Sequence, residues 1–370
     1  MERNEIKNIR QRKFFHSNNK LVFILISILI GFLVGAVVLA LAGYNPIEAY
    51  KSLFQGVFRK PRNVGWMIVN ATPIIFTGLG VAFAFKTGLF NIGAEGQYMI
   101  GSIVGFVLGY LLHLPLILHV LVILVAAALA GAIYGGLAGF IKAKFGMHEV
   151  ITTIMLNWIA FYFTNFIVNR PLFKMPNSMG TYEIQESARI TFPKLSENAP
   201  EFLRSFFGAS VHFGIILAII VAIVLYYILE KTTLGYQLKA VGLNDEAAKY
   251  GGINTNAKLT QSMAISGAVC ALGGACQVMG YTYGIYFLSS MENFGFDGLA
   301  VSLLANNNPF GCIFTGMFFG GLNYGGSNIQ RVLQVPTELI NIIMGTIIIF
   351  TAIPLVFKII RAKVRKKRGA

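Results

Sequence analysis

The feature that most constrains this chain is a series of apolar runs separated by short polar or glycine-rich breaks. The first run, residues 21–41, has about twenty residues, which is the length that an α-helix needs to cross the hydrocarbon core of a bilayer. Apolar residues make up 55% of the chain, and only 12% of its residues are charged, whereas soluble domains carry about 25% charged residues. The composition therefore predicts an all-α polytopic membrane protein without a sizeable soluble domain.

Ten apolar segments are predicted to be transmembrane helices. They cover residues 21–41, 66–85, 98–112, 116–140, 150–168, 211–229, 259–281, 286–305, 310–324 and 339–357. Glycine and polar residues interrupt 98–112, 286–305 and 310–324, so we expect discontinuous or re-entrant segments among them. The predicted transmembrane domain spans residues 21–358, with an outer loop at 170–208 and a cytoplasmic loop at 231–254.

Glycine recurs at four-residue spacing inside several of these segments. Two such series are Gly101, Gly105 and Gly109, and Gly131, Gly135 and Gly139; others begin at Gly31, Gly316 and Gly321. A stripe of small residues lets two helix backbones approach closely. These series predict helix packing rather than a site.

Positive charge is concentrated at the two ends of the chain. Residues 1–20 contain six Lys and Arg residues, and residues 358–370 contain seven. The positive-inside rule therefore predicts that both termini, as tails 1–20 and 359–370, lie on the cytoplasmic side of a bacterial cell membrane. Because each tail adjoins a predicted span, anionic membrane lipids are the expected partner of these charges, in preference to nucleic acid.

The 231–254 loop is too polar to lie within a bilayer, although predicted spans flank it. Gly235–Val241 has the spacing of a short amphipathic helix, which Gly242 is expected to break. Asn244 can cap a second short helix that begins with two acids, and the pair Gly251-Gly252 can end it. Two short helices would form a compact projection that fits a cleft on a soluble partner. The alternative interpretation is a solvated loop.

The same loop resembles the cytoplasmic coupling segment of ABC importer permeases of the branched-chain amino acid, ribose and nucleoside group. The family pattern is roughly T-x-x-G-x-x-L-x-A-V-G-x-N-x-x-A-A-x-Y-x-G-I, and Thr232 and Ile253 match its two ends. The resemblance implies a type II-like permease fold in which residues 231–254, here called the coupling segment, contact an ATPase subunit. The residues that it assigns to this contact are Gly235, Leu238, Ala240, Val241, Gly242, Asn244, Ala247, Ala248, Tyr250 and Gly252.

Two acidic residues flanked by glycines interrupt the apolar pattern, one in each half of the chain. Glu95 lies in NIGAEGQ and Asp297 lies in FGFDG. Acids at membrane depth are costly and tend to line a cavity, and paired interruptions are typical of transporters with discontinuous helices at the translocation path. The alternative is that both acids lie in turns at the membrane surface.

Three stretches resemble permeases of nucleoside ABC importers that work with a lipoprotein receptor. They are GLFNIGAEGQ (residues 88–97), HEVITTIMLNWIA (148–160) and FGFDGLAVSLLANNNPFG (294–311). The third departs from the family at Ala305-Asn306, where glycine and a variable residue are usual. With the coupling segment, the resemblance covers roughly residues 64–350. It implies three kinds of partner: ATPase subunits, a second related permease subunit in a heterodimer, and a substrate-binding lipoprotein.

A nucleoside needs hydrogen-bonding groups for its ribose and base edges and flat side chains for stacking. Side chains of both kinds lie in or beside the predicted spans, although the aromatic residues could equally belong to an interfacial belt. The predicted translocation-path residues are Asn91, Glu95, Gln97, Asn157, Trp158, Tyr281, Asp297, Asn307 and Asn308.

An ATPase site is not predicted on this chain. A P-loop needs a second glycine before its Lys-Thr pair, and Phe85 stands at that position before Lys86 and Thr87. ATP and Mg²⁺ are therefore expected on the partner ATPase, with no cofactor on this chain. The scattered histidines and the three cysteines show no metal-ligand spacing, and no catalytic arrangement of side chains presents itself.

These observations predict a permease subunit of an ATP-driven importer, with nucleosides as the first choice of substrate. Monosaccharides or branched-chain amino acids are the second choice. The alternative class is an ion-coupled secondary transporter that uses Glu95 or Asp297 as its ion site. A membrane scaffold without a translocation path is a further alternative.

Overall fold

The structure, a computed structural model, describes residues 28–193 and 198–352, and the predicted tails 1–20 and 359–370 lie outside the described residues. Within those ranges the protein is all-helical, and extended backbone pairs only at isolated bridges. The helices are α1 (Ile28–Leu41), α2 (Pro46–Phe58), α3 (Pro61–Phe85), α4 (Ala94–Leu111), α5 (Leu116–Phe145), α6 (Glu149–Val168), α7 (Glu201–Phe207), α8 (Gly214–Lys231), α9 (Thr233–Leu243), α10 (Asp245–Tyr250), α11 (Thr255–Gln277), α12 (Phe294–Leu304), α13 (Pro309–Leu333) and α14 (Thr337–Ala352).

Among the described residues, five helical segments are long and apolar enough to cross a membrane. They are Pro61–Phe85, Leu116–Phe145, Glu149–Val168, Gly214–Lys231 and Thr255–Thr282. Each of the ten predicted spans overlaps, where it is described, with a helix. The polytopic all-α class is therefore confirmed, whereas the count of ten transmembrane helices stays a prediction.

Two predicted spans differ from the helices in a way that matters for the site. Helix α4 begins at Ala94, four residues before the predicted span, so that Glu95 is helical. Helix α12 begins only at Phe294, although the predicted span begins at residue 286. Asn293 has a φ of 70°, and this left-handed backbone separates the non-helical segment before it from the helix. Helix α12 is thus a short helix of 11 residues preceded by an irregular segment.

The chain divides into two compact units, one of residues 56–324 and the other of the described residues up to 55 together with those from 325 onward. In the larger unit, α11 packs against α3, α4 and α5. The most apolar stretches of α3 and α11 are 83% and 78% buried, whereas those of α5 and α8 are 22% and 28% buried. Helices α3 and α11 therefore form the inner layer, and α5 and α8 expose apolar side chains suited to lipid.

The glycine series produce the close packing around α11. A Cβ added at Gly101 would overlap the carbonyl oxygen of Ala271, and one at Gly131 would overlap that of Gly267. The helix backbones are therefore in direct contact at these points, which is how small residues hold membrane helices together. The prediction of a packing role for these glycines is confirmed.

The predicted outer loop covers the end of α11. Helix α7 forms its last part and packs against α3. The backbone N–H of Ile184 donates to Tyr283 O at 2.8 Å, and that of Ile190 donates to Met279 O at 3.0 Å. These bonds attach the loop to the π-helical turn Val278–Thr282, which continues α11, and to Tyr283 directly after it.

In the smaller unit, α1 packs against Tyr50 and Ile343 at Gly35. Gly35 leaves no room there for a side chain, since a Cβ would lie 2.8 Å from the Tyr50 hydroxyl. That hydroxyl donates to Phe32 O at 2.6 Å. Asn328 Nδ2 donates to Ser52 O at 2.8 Å, which ties the two chain segments of this unit together.

Candidate coupling and translocation site

The coupling segment folds into two consecutive short helices, α9 and α10. Thr232 caps α9: its hydroxyl oxygen accepts the N–H of Gly235 at 3.2 Å and donates to Ile228 O at 2.6 Å. Asn244 caps α10, because its Oδ1 accepts the N–H of Ala247 at 2.9 Å. Helix α10 ends at Tyr250, and the backbone then turns at Gly252, whose φ is 82°. The prediction of a second helix capped by Asn244 is confirmed.

The expectation that Gly242 breaks the first helix is wrong. Gly242 lies inside α9, which continues to Leu243. The glycine is needed for close approach instead, because a Cβ there would overlap Lys86 O and would lie 3.0 Å from Gly88 N. Helix α9 therefore rests directly on the turn Lys86–Gly88 that follows α3.

The coupling segment has one side against the protein and another that is exposed. Leu238 and Val241 are buried, as is Ala248 in the second helix. Leu243 is 89% exposed and Tyr250 is 98% exposed. The coupling segment therefore has a packed side and a side on which two large apolar side chains are exposed.

The Lys86–Gly88 turn leads into a buried polar network. Thr87 Oγ1 lies 2.8 Å from Ser262 Oγ of α11. Asn91 Nδ2 donates to Gln97 Oε1 at 2.9 Å and to Ser266 Oγ at 2.8 Å. The Ser266 hydroxyl donates onward to Gly80 O at 2.6 Å. The segment between α3 and α4 is thus joined to α11 by side-chain hydrogen bonds.

Asn157 of α6 holds the first turn of α4. Its Oδ1 accepts the N–H of Gly96 at 2.8 Å, and its Nδ2 donates to Ile92 O at 3.0 Å. One side-chain amide therefore bridges residues on both sides of the start of α4. The residue is 1% exposed, so both bonds are protected from solvent.

Glu95 joins the beginnings of α4 and α12, and we call this contact the α4–α12 junction. Its Oε1 accepts the N–H of Asn293 at 2.8 Å, and its Oε2 accepts the N–H of Gly295 at 2.6 Å. Gly295 is required here, because a Cβ would overlap Glu95 N. A carboxylate at a helix N-terminus also interacts favourably with the helix dipole. The buried carboxylate therefore caps α12 from the first turn of α4.

Asp297 is placed differently from Glu95, although the two sequence contexts are similar. It lies in the first turn of α12 and accepts a hydrogen bond from Asn323 Nδ2 of α13 at 2.9 Å. Glu95 thus links α12 to α4, and Asp297 links α12 to α13. Together the two acidic residues fix the short helix α12 to both of these neighbouring helices.

The remaining predicted path residues lie at three separate places. Trp158 of α6 is 46% exposed, and Tyr281 is 39% exposed with its ring 5.3 Å from that of Trp66. Asn307 has a φ of 56° and accepts a hydrogen bond from Ser302 Oγ, and Asn308 Oδ1 accepts the N–H of Gly311 at the start of α13. The structure brings Asn91, Glu95, Gln97 and Asn157 together, and the assignment of all these residues to a path stays a prediction.

Sequence reasoning missed two serine partners in this network. Ser262 and Ser266 are fully buried polar residues in α11, one helical turn apart, which is a signal that the sequence does carry. Glu149 accepts from Lys142 Nζ at 2.6 Å and from the N–H of Phe90 at 3.3 Å, so it binds the same 86–93 segment from α6. Among the described residues, no group of three or more His, Cys, Asp and Glu could hold a metal ion.

Comparison with known proteins gives the family of this chain. Residues 64–352 match the family described as the permease component of the branched-chain amino acid transport system, and the chain belongs to it. It is therefore a multi-pass membrane permease subunit, which confirms the prediction of a transport subunit rather than an enzyme.

Three curated proteins are similar to this chain along most of its length. A guanosine ABC transporter permease protein of Bacillus subtilis is 37% identical over 93% of this chain and 96% of its own length. A nucleoside ABC transporter permease protein of Lactococcus lactis is 33% identical over 95% of each chain. A glucose ABC transporter permease protein of Haloferax volcanii is 30% identical over 88% of this chain and 85% of its own length.

Proposed function

We propose that this chain is the nucleoside permease subunit of an ATP-driven ABC importer. The observation that carries the proposal is similarity along nearly the whole chain to two permeases named for guanosine and nucleoside transport, at 37% and 33% identity. The three sequence stretches that resemble nucleoside importers all lie in or beside the buried network of α4, α6 and α12.

The proposed assembly contains two ATPase subunits, a second related permease and a substrate-binding lipoprotein. ATP is bound with Mg²⁺ on the ATPase subunits. Their contact is the exposed side of α9 and α10, where Leu243 and Tyr250 offer apolar surface. We place both termini and the coupling segment on the cytoplasmic side, because the basic tails 1–20 and 359–370 favour that orientation.

The proposed coupling runs from the ATPase to α12 through contacts in the larger unit. A movement of α9 presses Gly242 on the Lys86–Gly88 turn, since their backbones touch. That turn is continuous with the segment of Asn91, which is hydrogen-bonded to Gln97 of α4. Helix α4 then carries Glu95 and, with it, the N-terminus of α12. Rocking of such rigid helices around a central path would give alternating access.

A sugar is the second candidate substrate. The Haloferax volcanii relative is named as a glucose permease and is 30% identical over most of both chains. Ribose and glucose share hydroxyl groups, so a path that binds hydroxyls could serve either solute. An ion site at Glu95 is less compatible with the structure, because backbone N–H groups already occupy both carboxylate oxygens.

Uptake by the reconstituted transporter tests the proposal. The chain is purified with its partner subunits, placed in liposomes with the receptor lipoprotein, and supplied with labelled guanosine, glucose or leucine. We expect ATP-dependent uptake of guanosine and little uptake of the other two. Preferential uptake of glucose or leucine would contradict the substrate assignment, and uptake driven by an ion gradient without ATP would contradict the transporter class.

A further inference from the structure

Between α11 and α12 the chain runs for ten residues without forming a helix. The π-helical turn that continues α11 ends at Thr282, and α12 begins at Phe294. We call residues 284–293, with the sequence GIYFLSSMEN, the connecting segment. Its backbone takes part in one isolated bridge, between Tyr286 and Gly180, and is otherwise irregular.

Contacts with α6 and α3 place the second half of the connecting segment within the membrane. The side chain of Asn165, in the last turn of α6, donates to Leu288 O at 2.9 Å and accepts the N–H of Leu288 at 2.8 Å. Thr77 of α3 donates to Phe294 O at 2.8 Å. Thr77 lies about 12 Å before the end of α3 at Phe85 and about 24 Å after its start, at 1.5 Å per residue. Residues 288–294 therefore lie between the ends of two helices that are long enough to span the membrane.

Four consecutive residues of this half, 289–292, make no hydrogen bond with the described part of the chain. This holds for their backbone groups and for the polar side chains of Ser289, Ser290 and Glu292. These three residues are all exposed. Hydrocarbon cannot satisfy such groups, so non-helical backbone at membrane depth is tolerated only where it is buried in protein or lines a water-filled cavity. Since this chain leaves these residues exposed, they require a polar surrounding.

We propose that residues 289–292 form part of the wall of the translocation path and that the Glu292 carboxylate binds the vicinal ribose hydroxyls of the transported nucleoside. An ionised carboxylate only accepts hydrogen bonds, and its two oxygens can serve two neighbouring hydroxyls at once. Acidic side chains bind the ribose 2′-hydroxyl of dinucleotides by the same chemistry. The proposal rests on the proposed import of nucleosides and specifies which part of the solute this chain recognises.

Two aromatic side chains adjoin this polar wall. Phe287 precedes it and is 47% exposed, and Phe296 follows it in the first turn of α12 and is 39% exposed. Flat rings of this kind stack on nucleobases whatever the identity of the base. A stretch that binds hydroxyls between two exposed rings suits a solute that combines a sugar with a flat base.

The wall is also attached to the α4–α12 junction. Asn293, the residue after Glu292, donates its N–H to Glu95 Oε1 at 2.8 Å. A movement of α4 that carries Glu95 therefore displaces Glu292 as well. This contact connects the proposed ribose site to the proposed coupling route.

Labelling with a charged thiol reagent tests the position of the wall. Ser290→Cys is introduced into the complete transporter in liposomes, and labelling of this chain is measured by mass spectrometry with and without guanosine and the receptor lipoprotein. The native cysteines are fully buried and should not react; they are Cys270, Cys276 and Cys312. Ile133→Cys is the matched control, because Ile133 is 74% exposed on α5, whose exposed apolar side chains suit lipid. We expect labelling at position 290, protection there by guanosine, and no labelling at position 133.

Uptake of a deoxy analogue tests the role of Glu292. Glu292→Gln keeps the shape of the side chain but leaves one acceptor oxygen, so guanosine uptake should slow about tenfold, the loss of roughly one hydrogen bond to a charged group. Uptake of 2′,3′-dideoxyguanosine should be the same for this variant and the wild type, because both hydroxyls are missing. Glu201→Gln in the exposed helix α7 is the matched control and should import guanosine at the wild-type rate.

Two results would overturn the proposal. Absence of labelling at position 290 would show that lipid or another subunit covers the wall. An equal reduction for guanosine and its dideoxy analogue in Glu292→Gln, or no reduction, would show that Glu292 does not bind the hydroxyls. Protection of position 290 by glucose in place of guanosine would support the wall, while the nucleoside assignment itself would fail.

Discussion

Replacing Glu95 with Gln should weaken the α4–α12 junction by a predictable amount. The carboxylate accepts two backbone N–H groups, at 2.8 Å from Asn293 and 2.6 Å from Gly295. An amide keeps one acceptor oxygen and turns an NH₂ group toward the other N–H. Hydrogen bonds to a charged group contribute about 1.5–3 kcal/mol each, and the favourable interaction with the dipole of α12 is lost too.

We therefore expect Glu95→Gln to lower the free energy of unfolding by about 2–3 kcal/mol. A domain of 150–250 residues loses about 2–4 °C in Tm for each kcal/mol, which gives a decrease of roughly 4–12 °C. Thermal unfolding in detergent can be followed with a thiol-reactive dye, because Cys270, Cys276 and Cys312 are all free and buried. The dye reacts only when the helices around them separate.

The matched control is Glu201→Gln, which makes the same chemical change in the first turn of the exposed helix α7. It should leave the Tm within about 1 °C, as surface substitutions usually do. If Glu95→Gln unfolds at the same temperature as Glu201→Gln, the carboxylate does not hold α12, and the coupling route through Glu95 is wrong.

Three further substitutions test other parts of the structure. Gly242→Ala places a methyl group against the Lys86–Gly88 turn, so uptake and stimulation of the ATPase should both be lost while the protein still inserts into the membrane. Gly251→Ala is the control and should keep both activities, because the atom nearest to its new Cβ would lie at 3.4 Å. Asn157→Ala removes the two bonds that hold the start of α4 and should cost about 1–3 kcal/mol, measured by the same dye. Gly101→Ala forces α4 and α11 apart and should abolish the monodisperse peak in size-exclusion chromatography, whereas Gly345→Ala, with nothing within 4 Å, should not.

Local chemistry predicted much of the coupling segment. Asn244 followed by two acids predicts a capped helix, and that cap needs only residues within three positions of it. The role of Gly242 was harder to predict, because glycine is interpreted as a helix breaker unless the residues packed against it are known. Gly242 packs against the Lys86–Gly88 turn, which is more than 150 residues away in sequence. No local sequence pattern predicts that contact.

Contacts between residues distant in sequence also could not be predicted for the two acidic residues. The glycine-flanked pattern found both Glu95 and Asp297, yet it could not show that one caps α12 and the other binds Asn323. The partners of Glu95 lie 198 and 200 residues further along the chain.

The central claim is that an ATPase subunit contacts this chain at α9 and α10 and transmits its movement to the other helices through them. Site-directed photo-crosslinking tests this claim most directly. A photoreactive residue replaces Tyr250, which is 98% exposed, or Met179 of the predicted outer loop, which is 80% exposed, in the complete transporter. The account predicts a crosslink from position 250 to the ATPase whose yield changes when ATP is added, and none from position 179. A crosslink to the ATPase from position 179, or only lipid adducts from position 250, would contradict it.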